Sequence, residues 1–265
     1  MSVVLHLSDT HFGTEQAPVV EALVALARQL QPDLLVLSGD ITQRARPEQF
    51  QAARAFVDRL QAPVLAIAGN HDIALYDLWA RIRRPYARYA AAFGSDLEPV
   101  FRGNDLLVVG VNTTRAWRHK HGQVSRTQVE RVARLLARAE PAQLRLVVVH
   151  QPAAVTRPED RANRLRGSGH ALARWSQAGA DMVLGGHIHL PYVASPPGLP
   201  RPLWVVQAGT AVSDRLREAA PNSVNVLRWG RHAAAGRCSI ERWDYFSAAG
   251  AFARTAVLDV TPARD

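Results

Sequence analysis

Residues 34–40 read LLVLSGD: four apolar positions, then Ser38, Gly39 and Asp40. An apolar run of this length, bounded by glycine and polar residues, reads as a buried strand. Working upstream, residues 17–30 carry Val19, Val20, Leu23, Leu26, Ala27 and Leu30 at helical spacing, and Gln31-Pro32-Asp33 stops them. Residues 3–7 form another apolar run, so the first 37 residues make a βαβ unit with a right-handed crossover. The run at 34–40 has four counterparts. LHLSDTH (5–11) ends on Asp9 and His11, and VLAIAGNHD (64–72) ends on Asn70, His71 and Asp72. LRLVVVH (144–150) ends on His150, and MVLGGHIH (182–189) ends on His187 and His189. In open α/β sheets, sites form beyond the carboxyl ends of the strands. Five strand ends therefore deliver Asp, Asn and His to one rim, which is how a two-metal centre of a hydrolase is built.

Around these runs the pattern predicts a helix over 47–60, with Pro47 in its first turn, and a helical stretch over 73–93 broken at Pro85. Residues 98–101 and 106–111 read as a hairpin turning at 102–105. Helices are expected over 127–139 and near 170–178. The last third is mostly strand, at 192–194, 203–207, 224–229, 238–245 and 255–260. The expectation is one domain over 1–265, with residues 190–265 mainly strands that complete a second sheet. Two sheets packed face to face with helices outside would bury these elements, so the fold class is α/β.

At 265 residues the chain is near the upper size for one core, and its apolar fraction, 48%, is that of a globular protein. The N-terminus, MSVVLHLSD, lacks a basic leader, and its apolar stretch is too short for a signal peptide or a membrane span. No membrane span and a cytoplasmic location are the expectation. Cys238 is the single cysteine, so no internal disulfide forms, and a buried structural role is expected for it. The formal net charge is +9, but it is dispersed, and Lys120 is the one lysine among 32 basic residues. Arginine-rich composition accounts for that charge better than a nucleic-acid surface does, so nucleic acid is not the expected partner.

The pairs Asp9-x-His11 and His187-x-His189 can each turn two donors toward one point. Imidazole with carboxylate suits zinc, iron, manganese or nickel better than calcium. The set Asp9-x-His11, Gly39-Asp40, Gly69-Asn70-His71-Asp72, His150 and Gly186-His187-x-His189 resembles the calcineurin-like metallophosphoesterase family. It is most similar to the bacterial class III cyclic-nucleotide phosphodiesterases within that family. The resemblance implies a four-layer α/β/β/α sandwich with two mixed sheets, the metallophosphoesterase fold. It implies two divalent or transition-metal ions (Mn, Fe, Zn or mixed), with Asp9, His11 and His189 on one. Asn70, His150 and His187 would hold the other, and Asp40 would bridge them. His71 would lie beside the substrate phosphate, oriented by Asp72, to stabilise charge or protonate the leaving group. Two cations clamp a phosphate and lower the pKa of a shared water, whose hydroxide attacks phosphorus in line.

The expected substrate is a small phosphate ester, with phosphodiesters and 3',5'-cyclic nucleotides leading. The segment after Asp40 reads Ile41-Thr42-Gln43-Arg44, without the extension of the family's protein phosphatases. Gln151 stands where a second histidine is common. Two alternatives remain open. One is a phosphomonoesterase or pyrophosphate hydrolase acting on a nucleotide or lipid precursor, the other a non-catalytic phosphate or nucleic-acid binding module. Further residues carry weaker readings. His6 is expected as a packed strand histidine, and Trp117 as a partly buried loop anchor. His121-Gly122 resembles a loop of related phosphodiesterases. Arg157, Arg161, Arg164 and Arg166 read as solvated surface arginines, as do Arg215 and Arg217, although the latter segment follows a strand that ends near the rim. Asn112 ends another strand near the rim and is not expected to be a ligand.

Overall fold

The first sheet grows from β1 (Ser2–Leu7), β2 (Leu34–Leu37) and β3 (Val64–Ala66), which pair in parallel. The computed structural model describes residues 1–75, 77–230 and 236–263. Helices α1 (Ala17–Leu30) and α2 (Pro47–Arg59) make the crossovers. Both carry a proline in the first turn, Pro18 and Pro47, where its fixed φ and missing N–H are suited. The stretch expected to be helical over 73–93 divides into α3 (Leu78–Arg83) and α4 (Ala87–Phe93), on either side of Pro85; residue 76 lies outside the described residues.

The second sheet contains β4 (Val100–Arg102), β5 (Leu106–Gly110), β6 (Leu144–Val148), β7 (Met182–Gly185), β8 (Tyr192–Ala194) and β9 (Trp204–Gln207). Its order is β4-β5-β6-β7-β9-β8, with the four central strands parallel and both edges antiparallel. Helices α5 (Arg126–Leu136) and α6 (Ser168–Gln177) cover its outer face. Ser125 caps α5, accepting from the Gln128 N–H, and Gln128 reaches back to the Ser125 N–H.

The central strands are largely apolar because both of their faces are covered. In β1 and β2, Leu5, Leu7, Leu35 and Leu37 face the helices, while Val4, Leu34 and Val36 face the second sheet. In β5, Leu106 and Val108 face the first sheet, and Leu107 and Val109 face α5 and α6. The period-two alternation thus fills a core between the sheets and a core under each helical layer. The result is a four-layer α/β/β/α sandwich with two mixed sheets.

The late strands correct one expectation. Of residues 190–265, only β8 and β9 join the second sheet; 231–235 and 264–265 lie outside the described residues. Strands β10 (Ser223–Trp229), β11 (Cys238–Phe246) and β12 (Ala251–Val260) extend the first sheet, in the order β12-β11-β10-β1-β2-β3. The reason is the free side of β1. Without β10 in register from Ser2↔Trp229 to His6↔Asn225, its backbone groups would be buried and unpaired. Leu227, Trp229, Cys238 and Ile240 then point into the core between the sheets. Cys238 is buried there. Among the described residues, no helix is long and apolar enough to cross a membrane.

Candidate metal centre

The rim at the carboxyl ends of β1, β2, β3, β6 and β7 brings together Asp9, His11, Asp40, Asn70, His150, His187 and His189. Three groups of possible ligand atoms lie within 4.8 Å of one another: Asp9, His11 and His189; His11, Asp40 and His71; Asp40, His150 and His187. Asp9 Oδ1 is 3.7 Å from His11 Nε2 and 3.5 Å from His189 Nε2. Asp40 faces both ways, with Oδ2 3.9 Å from His11 Nε2 and Oδ1 3.2 Å from His150 Nε2. Asn70 Oδ1 is 3.2 Å from His150 Nε2.

The backbone explains how adjacent residues reach one point. Among the described residues, ten non-glycine positions have positive φ, and five of them are Asp9, His11, Asp40, His187 and His189. That conformation disfavours a residue with a Cβ by roughly 1–2 kcal/mol. Strain of this kind concentrates where the surrounding structure dictates side-chain direction for a purpose. Two glycines permit the close approach. A Cβ on Gly69 would strike the Asp40 backbone, and one on Gly186 would strike Ser8 and the Asp9 carboxylate.

The donor set fits metal ions. Asp9 Oδ1, His11 Nδ1 and both ring nitrogens of His187 are buried without a hydrogen-bond partner. His11 Nε2 and His189 Nε2 face each other at 3.4 Å, with their rings stacked. Buried donors and lone pairs are ordinarily satisfied, so this convergence is expensive unless a cation lies between them. Outer partners set the tautomers. His150 Nδ1 is held by the Ser38 carbonyl at 2.8 Å, and His189 Nδ1 by the Arg215 carbonyl at 2.7 Å. Each leaves Nε2 to point at the rim.

Electrostatics keep the two carboxylates ionised and His187 neutral. Burial pushes the Asp9 carboxyl up, but His189, His11 and His150 outweigh it and hold the group below the usual carboxylate range. Asp40 behaves likewise, burial being overcome by His150, His71 and His11. Burial disfavours charge on His150, yet Asp40 and Asp9 raise it to about 9. Burial, reinforced by His150, pushes His187 down to about 3. Two ionised carboxylates thus sit among imidazoles, with His150 as the counter-charge beside Asp40.

Asp72 does not orient the His71 ring, contrary to the expectation. Its carboxylate accepts from the backbone N–H groups of Gly69 (2.8 Å), Ile41 (3.1 Å) and Thr42 (2.8 Å), and from the Thr42 hydroxyl (2.9 Å). It ties the loop after β2 to the loop after β3. The ring of His71 is held elsewhere, its Nδ1 donating to the Gln43 carbonyl at 2.8 Å. Its Nε2 accepts from Arg215 Nη1 at 3.2 Å. Asp40 Oδ1 accepts from the His71 backbone N–H at 2.8 Å.

The weaker candidates divide. Arg215 reaches the site, whereas Arg217 pairs with Asp160 at 2.7 Å and Arg157 pairs with Glu218. Arg161, Arg164 and Arg166 are exposed. His119 rather than His121 stands beside His71, with ring centroids 6.5 Å apart. Trp117 is 76% exposed and so is not a partly buried anchor. The loop that carries it is anchored instead by buried Gln151, which accepts from the Thr113 hydroxyl at 2.7 Å and donates to the Lys120 carbonyl at 3.4 Å. Asn112 spends its side-chain oxygen on Thr114. His6 is buried between Ser38 Oγ (2.9 Å) and Asn225 Nδ2 (3.3 Å). The motifs carry no signal for Gln43 or for Thr210, whose hydroxyl lies 2.7 Å from His189 Nδ1, since each acts through a neighbour brought in by folding; His119 lies in the same loop as His121.

A family description, "Calcineurin-like phosphoesterase", matches residues 2–191, which hold all five strand-end blocks. The chain belongs to the calcineurin-like phosphoesterase family. Among curated relatives of this calcineurin-like chain is a glycerophosphodiester phosphodiesterase of Enterobacter lignolyticus, 40% identical over 25% of the chain and 28% of the relative. Another is a cAMP/cGMP dual specificity phosphodiesterase of Mycobacterium tuberculosis, 27% identical over 75% of the chain and 65% of the relative. The chain therefore spans less than two thirds of these relatives' lengths. Among solved structures, a dimetal phosphatase from Danio rerio superposes with a TM-score of 0.70 at 13% identity, covering 99% of each chain. A purple acid phosphatase from yellow lupin seeds gives 0.75 at 12% identity, covering 98% of this chain and 53% of its own. At such identities the superpositions speak for the shared fold.

Proposed function

We propose that this calcineurin-like chain is a dinuclear metal-dependent phosphoesterase whose first substrate class is phosphodiesters, 3',5'-cyclic nucleotides among them. The observation that carries the reading is the buried convergence of two carboxylates, one amide and four imidazoles with unpartnered donor atoms. Asp9, His11 and His189 would hold one cation, and Asn70, His150 and His187 the other. Asp40, facing both groups through its two oxygens, is the bridge. His71 is not a ligand in this reading, because Gln43 and Arg215 engage both of its ring nitrogens. Manganese, iron and zinc all suit the donor set. When bound, such a pair supplies Lewis acidity toward phosphate oxygens and makes water acidic enough to act as a nucleophile near neutral pH.

The chain's own residues do the rest. Asp40 and Asp9 offset the charge of the cations in a site closed to water on the protein side. Asp72 fixes the distance between Asp40 and Asn70 by knotting their two loops, which pre-organises the ligands. Asn70 is a neutral donor and leaves the site less anionic for an incoming phosphate than a third carboxylate would. His71 and Arg215 line a cleft of about 190 Å³ beside Asn70, with His119 across it. The Arg215 guanidinium would be the donor for charge that builds on phosphate oxygens there, with His71 holding it. The relatives named as phosphodiesterases support diesters as the first class to assay. A phosphomonoesterase or pyrophosphate hydrolase is the second reading, favoured by the guanidinium of Arg215 at the cleft.

The test is turnover of manganese-reconstituted protein on bis-p-nitrophenyl phosphate, then on cyclic AMP, with Asn70→Ala as control. Cleavage abolished in the variant supports the proposal. Metal-loaded protein that cleaves no phosphate ester, while binding DNA with steep salt dependence, would replace it with a binding module.

A further inference from the structure

Arg215 performs two tasks from one position. Its carbonyl accepts from His189 Nδ1 at 2.7 Å, and its side chain reaches His71 Nε2 at 3.2 Å and Gln43 Oε1 at 3.0 Å. The partners decide which atoms carry hydrogen. The Gln43 carbonyl only accepts, so His71 Nδ1 holds the ring proton. A guanidinium only donates, so His71 Nε2 is an acceptor. In this arrangement the group that presents N–H toward the cleft is Arg215, and His71 helps to hold it. Nη1 is the guanidinium nitrogen engaged by Gln43 and His71. Among the described residues, Arg215 pairs with no carboxylate. Its segment is fixed to the first loop of the chain: Asp214 N–H donates to the Thr14 carbonyl at 3.0 Å, and Ser213 bridges Glu15. The guanidinium is therefore held on fixed backbone beside the candidate centre, half-buried and without a counter-ion.

We infer that Arg215 is a specificity-determining residue that binds the terminal oxygens of a dianionic phosphoryl group. This rests on the phosphoesterase reading of the site. A phosphodiester offers two non-bridging oxygens and one charge; a phosphomonoester, or the end of a pyrophosphate, offers three and up to two. The additional oxygen needs an additional donor, and a planar guanidinium is the side chain suited to it. Arg215 accordingly favours monoester substrates and retains the monoester product of diester cleavage. His71 and Gln43 are positioning residues for it. The carbonyl that orients His189 belongs to the backbone, so a side-chain substitution at 215 leaves that contact in place.

The experiment compares manganese-loaded wild type, Arg215→Ala and Arg215→Gln on p-nitrophenyl phosphate and bis-p-nitrophenyl phosphate. Inorganic phosphate binding to the same loaded proteins is measured by calorimetry, and metal content is checked. Arg215→Gln keeps a side chain with a donor, so a folding defect in the alanine variant does not end the test. Loss of one charge-assisted hydrogen bond corresponds to a fall of about tenfold or more. The expected result is that fall in kcat/KM for the monoester, a smaller one for the diester, weaker phosphate binding by a similar factor, and unchanged metal content. Equal falls on both esters, or unchanged phosphate affinity in an active enzyme, would overturn the role of Arg215. A wild type inert toward both esters would instead overturn the phosphoesterase reading.

Discussion

Lowering the pH should unfold this protein partly through one histidine outside the metal-ligand set. His6 lies on β1, fully buried, with Nδ1 accepting from Asn225 Nδ2 and Nε2 donating to Ser38 Oγ. Burial pushes its pKa from 6.5 down to about 3, and the charge of Asp9 only partly opposes this. The folded state thus keeps His6 neutral where the unfolded chain takes up a proton. Between pH 6.5 and about 3 the unfolded state binds more protons, so stability rises with pH across that window and is lost as pH falls. Integrated from about pH 7 down to about pH 5, the loss from this single group is about 2 kcal/mol. Other buried histidines titrate too, so the measurement is a double difference. His6→Gln retains an acceptor for Asn225 and a donor for Ser38 but cannot take up a proton. Urea unfolding of both proteins at the two pH values, with chelator present so that metal uptake does not vary, gives the four free energies. The gap between wild type and variant should shift by about 2 kcal/mol in favour of the variant at the lower pH. A gap that stays constant would show that His6 is protonated in the fold and would refute the reasoning.

Asp40→Ala should lower metal content at both sites, since Asp40 faces His11 and His150, whereas His71→Ala should retain metal and lose turnover; elemental analysis of the purified variants distinguishes them. Gly69→Ala should cost about 1–3 kcal/mol and reduce metal content, because its Cβ meets the Asp40 backbone rather than a flexible side chain, as thermal unfolding and metal analysis would report. Chelation of metal-loaded protein should abolish turnover and lower the melting temperature. Restoring a cation to about 100 times its Kd should return about 2.7 kcal/mol of stability, measured calorimetrically.

The strand runs and the residues at their ends were legible because burial on both faces demands apolar residues throughout. The break to Asp9, Asp40, Asn70, His150 and His187 is therefore abrupt in the sequence. The helices at 17–30 and 47–59 were legible from apolar spacing and their prolines. The sheet joined by the last strands was not. Residues 223–229 pair with β1, more than 200 positions away, because that edge was open, and an open edge is a property of the assembled sheet. The same holds for Asp72, whose place after Asn70-His71 implied service to His71. Folding puts three backbone N–H groups around it instead, and a buried carboxylate takes the donors that surround it. The sequence by itself determined which side chains could bind cations and that strand ends would carry them. The tertiary structure decided which nitrogens face the centre, through the carbonyls of Ser38, Gln43 and Arg215, and it brought Arg215 across 144 positions to His71. The physical reason is that apolar burial acts along each element and leaves a local periodic trace. A hydrogen bond between distant loops depends only on where the packed layers leave a donor and an acceptor facing each other.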